Sequence, residues 1–466
     1  MFWPVGGGRP GGPAEPRCSV TRAVSRPVKK LAGAIRAPGD KSCSHRALMM
    51  AGVAAGTSRI TGLLEGQDVL DTARAVAALG AGVERLGPGE WRVEGVGVAG
   101  FRSPKNDLDF GNSGTGVRLM MGLIAGHDVT VTCAGDASLS SRPMERVLKP
   151  LRAMGAKAET APGGTLPVKL VGGNLTGIRY APPEPSAQVK SAVMLAGLRA
   201  SGITIIEERE ATRDHTERML RAFGVTVTVA PRAEGGPVIS LKGGQTLIAC
   251  QAAVAGDPSS AAFAVAAGLI AREGETTVSG MLDNRTRTGL FEAIAEMGGD
   301  ITRAPDGQAT GEDTARITVR ASRLKGVRLD PALVSSMIDE LPVFAALAAF
   351  ATGDTIVTGA AELRVKESDR IKAICAMLAA NGVAVDELPD GFVVHGLGPQ
   401  GVSSGVPGGG LVETRHDHRI AMSALVMGSA AKAPVSVDDV AMIATSYPDF
   451  FAHMSALGAD MEQGGV

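Results

Sequence analysis

One phrase of the chain, an apolar-faced helix closed by glycine and followed by a strand, occurs six times, and this recurrence restricts the possible folds more than any other feature of the 466 residues. The copies are "AVAALGAGVERL", "LRAMGAKAET", "LRAFGVTVTV", "AIAEMGGDIT", "MLAANGVAVD" and "HMSALGADME". They place Gly80, Gly155, Gly224, Gly298, Gly382 and Gly458 roughly 75 residues apart, too regularly for chance. Each glycine stands where a helix needs a left-handed C-terminal residue. A second phrase recurs with the first: a polar motif, a helix of small residues, then a β-branched strand. Its copies begin "DKSCSHRALMM", "GNSGTGVRLMM", "SAQVKSAVMLAG", "DPSSAAFAVAAG", "IDELPVFAALAA" and "HDHRIAMSALVM". Two helices and about four strands per copy predict a βαβαββ unit used six times.

Six such units divide most simply into two α/β domains of three. Helices of small residues can be buried, with the charged helices outside them. The chain is expected to cross between domains at "RAPGDK" near Pro38 and at "VAGDPSS" near Asp257. The predicted domains are therefore residues 40–255, continuous, and residues 28–39 with 256–466, discontinuous. Residues 1–27, rich in Pro and Gly, are expected to form a flexible extension.

The chain is 44% hydrophobic but only 3% aromatic, so its core must be built from Ala, Val and Leu. Forty-seven basic and 48 acidic residues leave a net charge of -1, which excludes a chain-wide nucleic-acid footprint. Five scattered cysteines without a CxxC pair indicate neither a disulfide framework nor a zinc knuckle, and fit a reducing, cytoplasmic setting. The N-terminus lacks the apolar run of a secretory signal, and no stretch approaches the roughly 18 apolar residues of a membrane span.

The polar motifs fall where apolar helices begin, and helix N-termini bind anions through unpaired N–H groups and the positive end of the dipole. Any of them could simply be an N-cap. The added cations argue for more: Lys41, Arg46, Arg118, Arg142, Lys190, Arg213, Lys366, Arg370 and Arg419 all lie in or beside these motifs. Concentrated cations in a neutral chain imply small, highly anionic substrates. None of the motifs matches GxxxxGK[ST], so a nucleotide P-loop is not indicated. Among the cations stand Asp339, Glu340 and Glu367. Alone, Asp339 reads as an N-cap and Glu367 as a solvated first-turn acid; beside cations they could serve as general acid and base. His416 and His418 in "HDHR" lack further ligands, so no metal site is expected there.

Ten motifs in order, "PGDKSCSHRALMM", "GNSGTGVRL", "RPMERV", "SAQVKSAVMLAG", "TRDHTE", "GDPSSAAF", "MIDELPV", "LRVKESDR", "HDHRIAMS" and "ATSYPDF", resemble the 5-enolpyruvylshikimate-3-phosphate synthase family over about residues 30 to 460. The resemblance implies a two-domain, inside-out α/β barrel of six βαβαββ units that closes over its substrates. It implies transfer of the enolpyruvyl group of phosphoenolpyruvate to the 5-hydroxyl of shikimate 3-phosphate, without metal or organic cofactor, by a cytoplasmic monomer with no nucleic-acid or membrane partner. Shikimate 3-phosphate is then expected at Lys41, Ser42, Arg46, Ser186, Ala187, Gln188, Arg213, Asp339 and Lys366. Phosphoenolpyruvate is expected at Lys41, Asn112, Gly114, Thr115, Arg142, Gln188, Arg370 and Arg419. Asp339 is the implied base at the hydroxyl and Glu367 the implied acid/base at the methylene, with Lys41 and Lys366 stabilising charge.

Three positions depart from some members: Thr445 replaces a Lys, Ala187 a Ser and Arg213 a Tyr. These features resemble the class II branch, some of whose members carry Ala at the Gly114 position and tolerate glyphosate. Two rivals remain: a UDP-N-acetylglucosamine enolpyruvyl transferase, and a non-catalytic anion-binding homologue.

Overall fold

A computed structural model describes residues 21–398 and 405–465. Six helices of the small-residue type are α1 (Lys41–Val53), α2 (Gly114–Ala125), α3 (Ala187–Gly197), α4 (Pro258–Ile270), α5 (Leu341–Ala349) and α6 (His418–Gly428). Beyond their polar N-terminal turns they are apolar on every side and therefore buried; every residue of α4 and α5 is inside. Small residues let these helices touch along their backbones. A methyl at Gly122 of α2 would stand 2.2 Å from the Ala192 carbonyl of α3. The second set of helices, such as Glu145–Met154, buries only one stripe, here Val147, Leu148, Leu151 and Met154. All six repeat glycines have positive φ, from 75° to 117°, as the C-terminal turn requires.

Six small sheets surround the buried helices, five of four strands and one of three. In the second unit the strand Leu108–Asp109 runs parallel to Thr130–Ala134, which pairs with the antiparallel hairpin Lys157–Ala161 and Thr165–Val171. Four of the other sheets repeat this order and the fifth unit's sheet has it without the first strand; the fold is an inside-out α/β barrel of βαβαββ units. Buried apolar residues form two clusters: one of residues from 43 to 255 together with Leu282 and Ala309, the other of residues 23–37 and 261–457.

Two strands next to the crossing segments sit in sheets that chain order alone would not assign them. Gly33–Arg36 precedes α1 yet pairs with Glu275–Leu282, after α4; Gln251–Ala253 precedes α4 yet pairs with Ala55–Thr61, after α1. The two crossing segments meet at a bridge between Gly39 and Gly256. The expected flexible extension through residue 27 is corrected for its last residues. Thr21–Arg26 is a strand of the sixth unit's sheet, between Val435–Val437 and Asp460–Gly465, because that unit otherwise lacks one hairpin strand. Residues 1–20 lie outside the described residues. Among the described residues, no single helix is long and apolar enough to cross a membrane.

Candidate active site

Each of the six buried helices begins at one of the polar motifs. Asp40, Ser113, Ser186, Asp257 and Asp417 cap α1, α2, α3, α4 and α6 by accepting a backbone N–H, whereas Glu340, at the start of α5, makes no such bond. Asp339, read alone as an N-cap, is not one. Its carboxylate is free to meet side chains, and it does.

On the side of α1–α3 the expected residues join in two groups. Arg46 is buried, donating from Nε to Thr216 Oγ1 at 2.8 Å, from Nη2 to Ser191 Oγ at 2.9 Å and from Nη1 to the Ser42 carbonyl at 2.9 Å. This ties the side chain to the first turn of α1, which carries Ser42. Gln188, one residue past Ala187, donates to Thr115 Oγ1 at 3.0 Å and accepts from Arg118 Nη1 at 2.9 Å. Arg142 donates to Asn112 Oδ1 at 2.5 Å. A methyl on Gly114 would stand 3.2 Å from Arg118 Nη1 and 3.3 Å from Arg142 Nη1, so glycine lets both guanidinium groups approach the helix start. Lys41 rests on Asp68 at 3.2 Å.

On the side of α4–α6, Arg370 is fully buried and donates from Nε to Asp417 Oδ2 at 2.8 Å. Its other nitrogens reach Glu367 Oε2 at 2.7 Å and Asp339 Oδ1 at 3.3 Å. Lys366 Nζ lies 4.0 Å from the same Asp339 oxygen, and Arg419 Nη1 donates to the Asp339 carbonyl at 2.9 Å. From the opposite side, Arg213 Nη2 donates to Asp339 Oδ2 at 2.7 Å. One carboxylate thus joins the two halves of the molecule.

Burial opposes charge on Asp339, but Arg419, Lys366, Arg213 and Arg370 outweigh it and hold the carboxyl well below its usual range. Burial likewise opposes charge on Glu367, yet Arg370 and Lys41 hold it low. Glu340 differs: burial prevails and raises it, one oxygen accepting from Ser259 and the other having no partner. Burial lowers His418, the first residue of α6, to about 3, so it is neutral.

Several roles change on inspection. Lys190 is no substrate cation: it is buried between Glu208 at 2.9 Å and Glu217 at 2.8 Å. Thr445 turns its hydroxyl onto the Met442 carbonyl at 2.7 Å and offers no charge. Cys43 has neighbours the sequence did not reveal, since its sulfur and ligand atoms of His215 and Glu312 lie within 4.8 Å of one another. Both Glu312 oxygens are already bonded, to His215 Nδ1 at 2.7 Å and Asn284 Nδ2 at 3.1 Å, and burial pushes the thiol far up. The cysteine is therefore an inert packing group. His416 is exposed and His418 buried, so the two do not converge on a metal.

Sequence reasoning missed Asp68, Ser191, Thr216 and Arg287. Arg287 is buried where the chain crosses, donating to Asp40 Oδ2 at 2.8 Å and Asp257 Oδ1 at 2.9 Å, which cap α1 and α4. It lies in none of the repeated phrases, so nothing in the sequence distinguished it from a surface arginine.

With this geometry established, the comparisons are decisive. The family model described as EPSP synthase (3-phosphoshikimate 1-carboxyvinyltransferase) matches residues 25–454. The chain belongs to the EPSP synthase family. Among its relatives, a 3-phosphoshikimate 1-carboxyvinyltransferase of Hyphomonas neptunium is 59% identical over 94% of this chain and 99% of its own length. One of Maricaulis maris is 54% identical over 94% and 96%. An EPSP synthase structure from Acinetobacter baumannii, 42% identical, superposes with a TM-score of 0.87 over 95% of this chain and all of that one. The EPSP synthase family thus accounts for the six units and for the helix-start motifs that carry the cations.

Proposed function

We propose that the chain is a 3-phosphoshikimate 1-carboxyvinyltransferase, joining the enolpyruvyl group of phosphoenolpyruvate to the 5-hydroxyl of shikimate 3-phosphate and releasing phosphate. The observation that carries this reading is Asp339, held among Arg213, Arg370, Lys366 and Arg419, with Glu367 on the same Arg370. Cations gathered from both halves suit two multiply charged anions. Two carboxylates on the same Arg370 suit a reaction that takes a proton from a hydroxyl and gives one to a methylene.

In this reading Lys41, Ser42, Arg46, Ser186, Ala187, Gln188, Arg213 and Lys366 hold shikimate 3-phosphate. Asn112, Gly114, Thr115, Arg142, Arg370 and Arg419 hold phosphoenolpyruvate, with Lys41 and Gln188 reaching both. Substrate phosphate and carboxylate groups compete with Asp339 and Glu367 for the same guanidinium groups. As the cations turn to substrate, both carboxyls rise toward values useful for proton transfer. The hydroxyl oxygen then adds to the enol carbon as Asp339 takes its proton and the methylene gains one from the Glu367 side. Collapse of the tetrahedral adduct expels phosphate as the new methyl returns a proton to the Glu367 side and the enol double bond re-forms, with Lys41 and Lys366 balancing charge.

The working division is residues 40–255 against residues 28–39 with 256–466, the halves closing at Arg213 and Asp339. The expected state is a cytoplasmic monomer, which sedimentation of the purified chain checks. Phosphate release that requires both substrates together tests the function. Release with UDP-N-acetylglucosamine as acceptor, or no release at all, would overturn it.

A further inference from the structure

Arg213, assigned to shikimate 3-phosphate, lies in the segment between the strand Ile203–Glu207 and the helix His215–Ala222. Two sets of side chains hold this segment, one from each half of the molecule. From its own half, the buried Lys190 donates to the Thr212 carbonyl at 3.3 Å, and Glu208 accepts from the Thr212 hydroxyl. From the other half comes a long hairpin, Asp300–Ala309 and Glu312–Arg320. Its tip rests on the first half. Ala309 joins that half's apolar cluster, Thr310 Oγ1 donates to the Ala253 carbonyl at 2.7 Å, and a methyl on Gly311 would stand 2.9 Å from the Arg218 carbonyl oxygen. Thr310 holds φ at 40°, a strained setting for a β-branched residue, which its bond to Ala253 offsets.

Glu312 follows at the tip and is only 2% exposed. Its Oε1 accepts from His215 Nδ1 at 2.7 Å, and its Oε2 accepts from Asn284 Nδ2 at 3.1 Å. The same Asn284 nitrogen donates to Asp214 Oδ1 at 2.6 Å, and Arg218 Nε lies 2.7 Å from Asp214 and 3.5 Å from Glu312. Both residues after Arg213 are therefore tied, directly or through one intermediary, to a single carboxylate from the opposite half. None of its partners, His215, Asn284 and Arg218, is assigned to a substrate, so any effect of Glu312 on the reaction passes through this segment. Burying a carboxylate is costly, and apolar groups of similar size often serve stability as well, so stability alone does not account for Glu312.

We infer that Glu312 is a positioning residue for the proposed reaction. Reaching across from the half that holds Arg370 and Arg419, it fixes the chain on the C-terminal side of Arg213, as Lys190 fixes it on the N-terminal side, and so aims the Arg213 guanidinium at shikimate 3-phosphate. The inference rests on the reading that Arg213 holds that substrate.

Steady-state kinetics of the full chain, with each substrate varied in turn, tests this. A loss of folded protein lowers the apparent kcat and leaves KM alone, so KM separates aim from stability. Glu312→Gln should raise the KM for shikimate 3-phosphate about tenfold, as a small displacement of a binding group can, and keep that for phosphoenolpyruvate within about twofold. His215→Leu should do the same, whereas His215→Asn, whose amide nitrogen can stand where Nδ1 stands, should restore a KM near native. Arg213→Gln should raise the KM by itself, and adding Glu312→Gln should raise it no further, because the group through which Glu312 acts is gone. With the native chain active, four results would each overturn the inference and leave the transferase reading standing. These are a native KM for shikimate 3-phosphate in Glu312→Gln or in Arg213→Gln, equal rises for both substrates, His215→Asn no better than His215→Leu, and effects that multiply in the double variant. A native chain that releases no phosphate from the two substrates would overturn both.

Discussion

Glu367 and Gly114 show how much rests on single residues. Glu367 touches Arg370 at 2.7 Å and is the carboxylate assigned to the methylene. Glu367→Gln keeps the shape and removes the proton traffic. Turnover should fall by about two to four orders of magnitude while shikimate 3-phosphate affinity stays near native; steady-state kinetics with a binding titration checks both. At Gly114 a methyl would press on Arg118 and Arg142 at 3.2 and 3.3 Å. Gly114→Ala should therefore weaken glyphosate inhibition about tenfold or more, with a smaller rise in the KM of phosphoenolpyruvate, because the bulkier inhibitor tolerates the displaced guanidinium groups less. Inhibition constants measured against phosphoenolpyruvate decide it.

The elements were the most legible part of the chain. Gly80, Gly155, Gly224, Gly298, Gly382 and Gly458 announced helix ends because only glycine enters the left-handed region without strain, and all six are found there. This also fixes the cost of change. A methyl on Gly298 meets nothing within 4 Å, so Gly298→Ala should lose about 1 kcal/mol from backbone strain alone. At Gly382 the methyl would also meet Pro407 at 2.8 Å, and Gly382→Ala should lose more. Urea denaturation of the pair measures the difference. Partners were less legible than positions. Lys190 looked like its neighbours in sequence but is neutralised by Glu208 and Glu217, which come from 18 and 27 residues downstream. Asp68 belongs to no motif and Thr216 is an ordinary position of "TRDHTE"; both matter because folding brings them to Lys41 and Arg46. Local spacing encodes which helix starts where, whereas pairings across units are set by tertiary packing.

At the scale of the molecule, Arg287 and Asp339 connect the halves. Arg287→Met would leave Asp40 and Asp257 buried without their counter-charge. The loss should be about 3–5 kcal/mol, read from the midpoint and slope of urea unfolding. Asp339 gives a pH signature. Its folded carboxyl is held below the unfolded value of about 4, so its contribution is complete above that pH and is lost as the pH falls below it. Asp339→Asn should flatten the decline of unfolding free energy below about pH 4 and leave the slope near neutrality unchanged.

The strand Thr21–Arg26 also dictates an order of events. It lies antiparallel to Asp460–Gly465, Thr21 opposite Gly465, and Gly33–Arg36 waits for Glu275–Leu282. The ribosome makes these first strands long before their partners exist. The intervening half, with Gln251–Ala253 completing its first sheet, can close during synthesis. At about 5–20 residues per second, the strand Thr21–Arg26 stays unpaired for tens of seconds, until Val435–Val437 and Asp460–Gly465 have been made.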